Sequence, residues 1–566
     1  MRWLGRVEGK RVMDPRQVHE SVAAPGLAEG AWVEVNGADL TPFAEPGSAL
    51  GEIAELATGK GHTPFLPDAC EAEAAAWVKN PGIDDPNLVD LTHLPFVTID
   101  YTTSKDLDQA LFVERKGQNH VVWYALADAA YYVRPGSALL EEAIKRGATY
   151  YMPGLTIPML PLALCEGLIS INPNVDRRAM VFRMEIGRNG ACKRTEVIRA
   201  RVHSVAKLAY RHVQAWYDGG EAPTDNDGAL QSLSALQSVG ELRMAEAEAR
   251  NVIRFRRREV DVKIADGSAP FLAREALRHD VERYGEQISL LTNVEGARLL
   301  ADPTAGAHVH PVYRTHAPPQ SQRLRQLQRQ IDAIVRAHNL PPTWRWSGQR
   351  HASLATYLRS LPRDGAHARI ARVIEHMALF TGGRSGFSAE PAGHHGVGAD
   401  VYARFTAPMR EVVGIFVHKE AWEHLGAQTP THNATDEALR EQVIDAAGRA
   451  KSQQRALTQT SNRRCLDRMF QADLDGKAAP RGGTIMGFSR GKIRVELNDP
   501  PIQVKVYFPH LQEYIGTALR LTRDGSRVVE EKGGRRVVTL GDRVQVTVLR
   551  QDEDRDRWVL GLDSVG

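Results

Sequence analysis

The sequence predicts a multidomain α+β protein, and three observations lead to this fold class. First, 566 residues are more than one hydrophobic core can organise, so several domains are expected. Second, the central region begins with the alternating pattern of strands and changes to helical periods after residue 200. Third, the segment after residue 480 returns to short alternating runs that are separated by turn residues.

Residues 1–85 are predicted to form a small helix-rich domain. Three stretches have the spacing and the starting residues of short helices, PRQVHESVAA, GSALGEIAELA and LPDACEAEAAAWVKN, whereas only AWVEV is a clear strand. This pattern is compatible with a winged helix or a helix-turn-helix unit. A linker rich in Pro and Asn, NPGIDDPN, follows it.

Residues 86–475 are predicted to form the central domain. It opens with the strands FVTID, ALFVER and HVVWYALADAAYYV and continues with extended segments that contain proline. Helices are predicted after residue 200, among them RLRQLQRQIDAIVRAH and DEALREQVIDAAGRAKSQQRAL. A β-sheet combined with helices is therefore expected for this domain.

Residues 480–566 are predicted to form a small closed β-barrel. The predicted strands are IRVEL, IQVKVYF, RVVEE, RRVVTL, RVQVTVL and WVLGL. About five strands in a domain of this size favour the OB type of barrel.

Composition and charge exclude several classes of protein. Apolar residues make up 42% and charged residues 25% of the chain, and no apolar run reaches the roughly 20 residues of a membrane-spanning helix. Four distant cysteines outside any CxxC spacing argue against a disulfide framework, and with the lack of an apolar leader they predict a cytoplasmic protein. The net charge of +3 is mildly basic, and arginine-rich segments permit a polyanion channel without proving one. P-loop and dinucleotide motifs are missing, so no nucleotide cofactor is expected.

The stretch FVTIDYTTSKDLDQALFVER places Asp100, Asp106 and Asp108 within nine residues. Asp106 and Asp108 share one face of an extended chain, and a short loop can bring Asp100 beside them. Three carboxylates in one pocket repel each other without a cation, and Mg²⁺ binds such oxygens together with substrate phosphate. An EF-hand is disfavoured because Lys105 and Leu111 stand where that loop needs Gly and Glu. The residues alone leave both a hard-cation site and a polar surface loop open.

The segment TIDYTTSKDLDQALF resembles the catalytic motif of the ribonuclease II/R superfamily, whose core is the RNB domain. The resemblance continues collinearly over about two-thirds of the chain, through ALADAAYYV, YYMPGLTIPMLP, LISINPNVDRRAMVF, YRTHAPP and PAGHHGVGADVYARFTAPMRE. The terminal strand-rich segment resembles the S1-type OB domain of these enzymes.

The resemblance implies a monomeric exoribonuclease that hydrolyses single-stranded RNA processively from the 3′ end. Nucleoside 5′-monophosphates are the implied products, and Mg²⁺ assists attack by water on the terminal phosphodiester. Asp100, Asp106 and Asp108 match the first three aspartates of the family motif, and Gln109 occupies the position of the fourth. Arg410 matches an arginine that offsets charge on the scissile phosphate.

Other residues match, or are expected to form, contacts with RNA. By resemblance, Tyr151 packs against the 3′-terminal nucleotide and Tyr210 is a second aromatic residue of the RNA channel. In the segment YRTHAPP, Arg314 and His316 are candidate RNA contacts. In the last domain, Phe488 and Tyr507 are candidates for an RNA-binding face, because aromatic rings can stack on bases.

The chain departs from the family pattern at several positions. Gln109 remains a candidate metal ligand through its amide oxygen, but it brings no charge. Ala407 and Val412 replace a hydroxyl and an aromatic residue, and Gln459 or a neighbour stands where a late helix usually supplies glutamate. Two cold-shock barrels, usual before the catalytic core, do not fit in residues 1–85. These departures keep a second hypothesis open, a catalytically weakened RNA-binding protein on the same scaffold. A regulator that binds duplex DNA through residues 1–85 is a third.

Overall fold

The computed structural model describes residues 2–255, 258–264, 270–276, 278–303, 308–348, 350–426, 429, 431, 433–476, 478–489 and 491–564. The chain divides into two compact units. The first unit comprises Met1–Arg250, Arg278–His316 and Ser385–Thr460, and the second comprises Asn251–Leu277, Ala317–Arg384 and Ser461–Gly566. These units cut the chain at other positions than the linear domains predicted from sequence, so those boundaries stay a prediction.

The part of the chain up to Arg250 contains most strands of the first unit. Its strands are β1 (Arg2–Glu8), β2 (Arg11–Met13), β3 (Val22–Ala23), β4 (Trp32–Asn36), β5 (Asp39–Ala44), β6 (Val89–Asp90), β7 (Phe96–Asp100), β8 (Gln109–Lys116), β9 (Asn119–Ala127), β10 (Tyr150–Met152), β11 (Leu155–Ile157), β12 (Asp176–Ile186) and β13 (Cys192–Ala209). Its helices are α1 (Ala49–Gly59), α2 (Asp68–Lys79), α3 (Ala129–Tyr132), α4 (Ala138–Arg146), α5 (Tyr210–Tyr217) and α6 (Asp227–Ala249).

The prediction of a helix-rich first domain is wrong for residues 2–44, which form an antiparallel sheet in the order β3-β2-β1-β4-β5. Helices α1 and α2 confirm two of the three predicted helices, but PRQVHESVAA forms turns that lead into β3. Asp14, directly before this stretch, accepts hydrogen bonds from the Arg16 and His19 N–H groups. The strands precede the helices, so the arrangement is neither a winged helix nor a helix-turn-helix. Sequence reasoning missed β1 because Trp3, Leu4 and Gly5 are buried in succession, which removes the alternation of a half-exposed strand.

The central feature of the first unit is a closed circuit of strands. Neighbouring strands are hydrogen-bonded in the order β12-β9-β8-β7-β13, and β12 also pairs along its length with β13, which closes the barrel. Strand β6 adds to β13 in parallel. The barrel strands share one apolar core, in which Phe96, Tyr124 and Phe182 are among the buried side chains, whereas β13 carries charged residues between its buried positions.

The loop between β7 and β8 carries the acidic residues. Because these strands are antiparallel neighbours, Asp100 at the end of β7 and Gln109 at the start of β8 lie at the same end of the barrel. Helix α6 packs on β8, and the Ser232 hydroxyl accepts a hydrogen bond from the Val113 N–H at 2.8 Å. The predicted β-sheet with following helices is confirmed for this region.

The chain between Asn251 and Asp475 is mainly helical. Its strands are β14 (Glu259–Ile264), β15 (Phe271–Ala276), β16 (Tyr313–Thr315) and β17 (Gly386–Ser388). Its helices are α7 (Asp280–Leu300), α8 (Ser321–Ala337), α9 (Leu354–Ser360), α10 (Ala368–Leu379), α11 (Val412–His424) and α12 (Asn433–Asp475). In the second unit, α8 and α10 contribute to one apolar core with the strands that follow residue 480.

The end of the chain forms strands β18 (Arg481–Ser489), β19 (Lys492–Leu497), β20 (Gln503–Tyr507), β21 (Leu519–Leu521), β22 (Arg527–Glu530), β23 (Arg536–Thr539), β24 (Arg543–Asp552) and β25 (Arg557–Ser564), with helix α13 (Phe508–Ile515). All six predicted strands are confirmed, and sequence reasoning missed β18 and β21. A five-stranded antiparallel sheet has the order β20-β19-β18-β24-β25, and its two outer strands contact each other. Among the described residues, no helix is both long and apolar enough to cross a membrane.

A buried histidine on α11 makes the stability of the first unit depend on pH. His418 is fully buried and its Nε2 lies 2.9 Å from the Phe405 carbonyl oxygen, to which it donates. Burial lowers the pKa of His418 to about 4, although the Phe405 carbonyl opposes this shift.

We therefore expect acid to destabilise the first unit through His418. The unfolded chain binds a proton near pH 6.5 and the folded chain does not, so the free energy of unfolding falls as the pH drops from about 6.5 to about 4, by on the order of 2–3 kcal/mol. Urea midpoints followed by tryptophan fluorescence between pH 4.5 and 7 measure this dependence. His418→Gln should flatten it, whereas His93→Gln at an exposed position should not; equal slopes in both variants would contradict the assignment.

Candidate active site

The loop that carries the acidic residues is fixed by hydrogen bonds to its own backbone. The Asp100 carboxylate accepts from the Tyr101 N–H at 2.7 Å and from the Ser104 hydroxyl at 2.8 Å. The Lys207 ammonium, from the neighbouring β13, donates to the Thr102 and Ser104 carbonyl oxygens. These contacts hold the loop in one conformation from the end of β7 onwards.

The second half of the loop is anchored by a serine that follows a π-helical turn at Ala163–Leu168. The Ser170 hydroxyl accepts from the Leu107 N–H at 2.9 Å and donates to the Lys105 carbonyl at 2.8 Å. Leu107 is buried, so Asp106 and Asp108 on either side of it both point away from the face that Leu107 occupies.

Asp108 is the buried centre of the site, with 1% of its surface exposed. One carboxylate oxygen accepts from the Met409 N–H at 2.9 Å, and the other forms an ion pair with the Arg410 guanidinium. Burial raises the pKa of Asp108 to about 6, while Arg410 and the Met409 N–H oppose the increase and Asp106 adds to it. Asp108 in turn raises the pKa of Arg410, which therefore stays charged.

Asp106 contacts the tyrosine that sequence analysis assigned to the RNA channel. The Tyr151 hydroxyl donates to an Asp106 carboxylate oxygen at 2.5 Å. Tyr151 lies in β10, which within the described part of the chain pairs only with the short strand β11, and 44% of its surface is exposed. The tyrosine ring is thus tied to the acidic loop while remaining open to a ligand.

The three aspartates offer a suitable donor set for a divalent cation, although the described residues do not form a closed ligand cage. Their carboxylate oxygens do not all lie within 4.8 Å of one another. Asp100 and Asp106 each have a second carboxylate oxygen beyond the hydrogen bonds given above. Mg²⁺ commonly binds one or two carboxylates and completes its shell with water and substrate phosphate, so these residues fit it.

Gln109 lies on the opposite side of the chain from Asp108. Its Oε1 accepts from the Tyr124 hydroxyl at 2.7 Å, and that hydroxyl also lies 2.7 Å from the Ser289 hydroxyl oxygen. Gln109 lines a pocket of about 210 Å³ together with Tyr101 and Tyr210, whose rings meet edge to face with centroids 5.4 Å apart. The amide is thus held in this pocket by Tyr124, beside the acidic loop.

The segment around Arg410 is held by residues that sequence reasoning did not single out. Arg404 and Glu411 form a two-point ion pair with distances of 3.1 and 2.6 Å. Burial favours the neutral acid, but Arg404 outweighs it and lowers the pKa of Glu411 to about 2. Ala407 and Val412, which depart from the family pattern, are buried. The sequence signal for this ion pair was the presence of opposite charges at Arg404 and Glu411, seven residues apart in one segment.

Of the other predicted RNA contacts, Arg314 lies near the pair of Arg404 and Glu411, and its charge helps to lower the pKa of Glu411. Arg314 is in β16, where its N–H donates to the Tyr402 carbonyl at 2.7 Å, and the His316 ring accepts from the Gly396 N–H at 3.1 Å. In the second unit, Phe488 packs partly against the apolar core, whereas the Tyr507 ring is covered by a guanidinium, with the Arg557 Cζ 4.2 Å from its centroid.

A second acidic group, formed by Glu420, Glu423 and Asp436, is the one set of described residues whose oxygens meet as metal ligands do. The Lys419 ammonium already lies 2.8–2.9 Å from all three carboxylates, so this group is an internal ion cluster of α11 and α12.

The model of the protein family described as RNB domain matches residues 88–426 of the chain. The chain belongs to the RNB family. Ribonuclease R of Vibrio parahaemolyticus is 28% identical over 93% of this chain, and the chain covers 61% of that protein. Exoribonuclease 2 of Serratia proteamaculans is 27% identical over 81% of this chain and 68% of that protein. The chain thus spans about three-fifths of the length of the ribonuclease R relative.

Solved structures share the RNB fold with this chain. Mycoplasma genitalium RNase R, in complex with ribose-methylated single-stranded RNA, has a TM-score of 0.80 and 19% identity, and the match covers 99% of this chain and 89% of that one. Yeast Ssd1, described as a pseudonuclease, has a TM-score of 0.56 and 15% identity, over 82% of this chain and 53% of that one.

Removal of Arg410 should destabilise this RNB protein in a pH-dependent way. At pH 8 Asp108 is ionised, and its buried charge needs the guanidinium of Arg410. At pH 5, below its pKa of about 6, Asp108 is protonated, so removal of Arg410 costs less stability. We expect Arg410→Met to lower the free energy of unfolding by about 1–2 kcal/mol at pH 8, a value reduced because the Arg410 side chain is 37% exposed, and by less at pH 5.

Urea unfolding at both pH values checks this expectation. Arg201→Met is the control, because its partner Asp90 is exposed and keeps its charge at pH 5 and at pH 8 without the arginine. A loss for Arg410→Met that is the same at both pH values would show that Asp108 is not buried as described.

Proposed function

We propose that this chain is a 3′-to-5′ exoribonuclease that hydrolyses single-stranded RNA processively to nucleoside 5′-monophosphates. The observation that carries the proposal is the pairing of the buried Asp108 with Arg410, beside Asp106 and its partner Tyr151. One guanidinium, one open aromatic ring and carboxylates with free oxygens are the groups that cleavage of a terminal phosphodiester requires. The names of the RNB relatives, ribonuclease R and exoribonuclease 2, support the reaction class.

The residues of the site have separable tasks in this reaction. Asp100, Asp106 and Asp108 would hold Mg²⁺, which when bound polarises the phosphate and activates water. Arg410 is half-buried and charged, so its remaining N–H groups can donate to a non-bridging phosphate oxygen and stabilise the charge that develops there. Tyr151 offers a ring on which the last base can stack.

The substrate is proposed to be an unpaired strand. Stacking on Tyr151 and in the neighbourhood of Tyr210 is independent of base identity, and it requires bases that are not already paired. One solved complex of Mycoplasma genitalium RNase R contains ribose-methylated single-stranded RNA, which supports this substrate class, and another contains double-stranded RNA. In the second unit, Phe488 and Tyr507 are proposed to contribute to RNA binding, as are Arg314 and His316 in the first. We also propose that the enzyme is a cytoplasmic monomer; its four cysteines are free thiols.

A second candidate function is an RNA-binding protein with weakened hydrolysis. The observation that favours it is Gln109, which stands where the family motif has an aspartate and whose amide oxygen accepts from Tyr124. The similarity in fold to yeast Ssd1, described as a pseudonuclease, shows that this architecture also occurs in a protein of that description.

Asp108→Asn should separate hydrolysis from binding. The amide keeps the size of the side chain but removes the charge that faces Arg410 and the cation, so we expect hydrolysis to fall by about a thousandfold and RNA affinity to change less than about threefold. Release of mononucleotides from 3′-labelled single-stranded RNA with Mg²⁺ measures the first, and fluorescence anisotropy of the same RNA measures the second.

Asp218→Asn, an equal exchange at an exposed position, is the control and should behave as the wild type. EDTA should stop hydrolysis by the wild type. Tight RNA binding by the wild type without any mononucleotide release would decide for the second candidate, and normal hydrolysis by Asp108→Asn would overturn the site.

A further inference from the structure

A glutamine of α12 is bonded to both backbone polar groups of Tyr151. The Gln454 Oε1 accepts from the Tyr151 N–H at 3.1 Å, and the Gln454 Nε2 donates to the Tyr151 carbonyl at 3.2 Å. The same Nε2 donates to the Thr458 hydroxyl at 3.0 Å, so both amide hydrogens are used and the orientation of the amide is fixed. A side-chain amide thus replaces a neighbouring strand along this edge of β10.

This pairing matters because Tyr151 is the exposed residue of β10, between the buried Tyr150 and Met152. The strand has three residues and pairs with the equally short β11 on one side only, where Tyr151 stands opposite Thr156. Tyr151 is exposed, so core packing does not set the direction of its ring. Two such strands alone are marginal in water, and a fixed backbone is needed to aim the hydroxyl at Asp106.

Tyr150 in β10 and Gln453 in α12, each directly before the residues just described, form a separate contact. The Tyr150 hydroxyl donates to the Gln453 Oε1 at 2.5 Å and also reaches the Arg146 carbonyl at 2.6 Å, and Tyr150 is fully buried. Gln453 therefore joins α12 to the core side of β10, whereas Gln454 joins it to the residue that faces the acidic loop. The two adjacent glutamines provide a natural comparison.

We infer that Gln454 is a positioning residue, which holds the Tyr151 backbone so that the ring stands over the site and its hydroxyl reaches Asp106. The inference rests on the proposed function, because it concerns the residue on which the terminal nucleotide is proposed to stack. Gln454 touches neither the acidic residues nor the proposed RNA path through any contact in the described part of the chain, and acts through Tyr151 alone.

A double-mutant cycle on kcat tests this role. Gln454→Ala should lower kcat for single-stranded RNA by roughly tenfold with Tyr151 present, since misplacement of a group that orients the substrate slows turnover. In a Tyr151→Ala background the same substitution should change kcat less than about twofold, because the residue through which it acts is gone. Gln453→Ala is the matched control and should leave kcat within about twofold.

A second readout does not depend on hydrolysis. RNA with 2-aminopurine as its 3′-terminal base is bound to Asp108→Asn protein, and stacking on Tyr151 quenches its fluorescence. Gln454→Ala should weaken the quenching at saturating protein by about twofold, whereas Gln453→Ala should not. Urea midpoints of all variants report loss of folding separately.

The outcomes distinguish the inference from the proposed function. If the wild type releases no mononucleotides, the proposed function fails and the quenching still tests Gln454. If Gln454→Ala slows kcat equally with and without Tyr151, or leaves both kcat and quenching unchanged, the positioning role is wrong.

Discussion

The site depends on one ion pair that is sheltered from water. Asp108 is almost completely buried, and its charge is tolerated because the Met409 N–H and the Arg410 guanidinium share its two oxygens. Burying a carboxylate alone is costly, so the loop after β7 and the segment before α11 are stable in their places only when they meet. The pair therefore joins two parts of the sequence that are about 300 residues apart and brings a cation and an anion to the same end of the barrel.

Around this pair, each remaining element has a fixed relation to a neighbour. Ser170 and Lys207 donate to carbonyl oxygens of the loop. Glu411 forms an ion pair with Arg404, and the Tyr151 hydroxyl donates to Asp106. None of these contacts involves Gln109, although it directly follows Asp108. In an extended chain adjacent side chains point to opposite faces, so Gln109 meets Tyr124 instead of the loop.

The sequence was informative where the chemistry depends on residues that are close together in the chain. It was uninformative where the chemistry depends on backbone groups from distant parts of the chain. The strands of the barrel and of the C-terminal sheet follow from alternation. The motifs shared with the RNB family predicted Asp108 and Arg410 as residues of one site, but they did not predict the ion pair between the two. The alternation of side chains along an extended chain also indicates that Asp108 and Gln109 point to opposite faces. By contrast, the Met409 N–H and the amide of Gln454 carry no pattern, because their partners are set by tertiary packing. The N-terminal sheet was missed because burial on both faces of β1 conceals its period.

The closure of the barrel has a consequence for how the protein opens. Since β12 is bonded to both β9 and β13, the ladders of β9, β12 and β13 have no free margin from which they could peel, whereas β7 and β8 meet at one residue pair, Val97 with Leu111. The hairpin of β10 and β11 lies outside the circuit. Backbone amides of β9, β12 and β13 should exchange with deuterium only in large, rare openings, whereas protection of the Tyr151 amide in the hairpin should depend on the α12 side chain to which it donates. The acidic loop would then stand on a lasting frame, while the order of the hairpin would come from a helix outside the circuit.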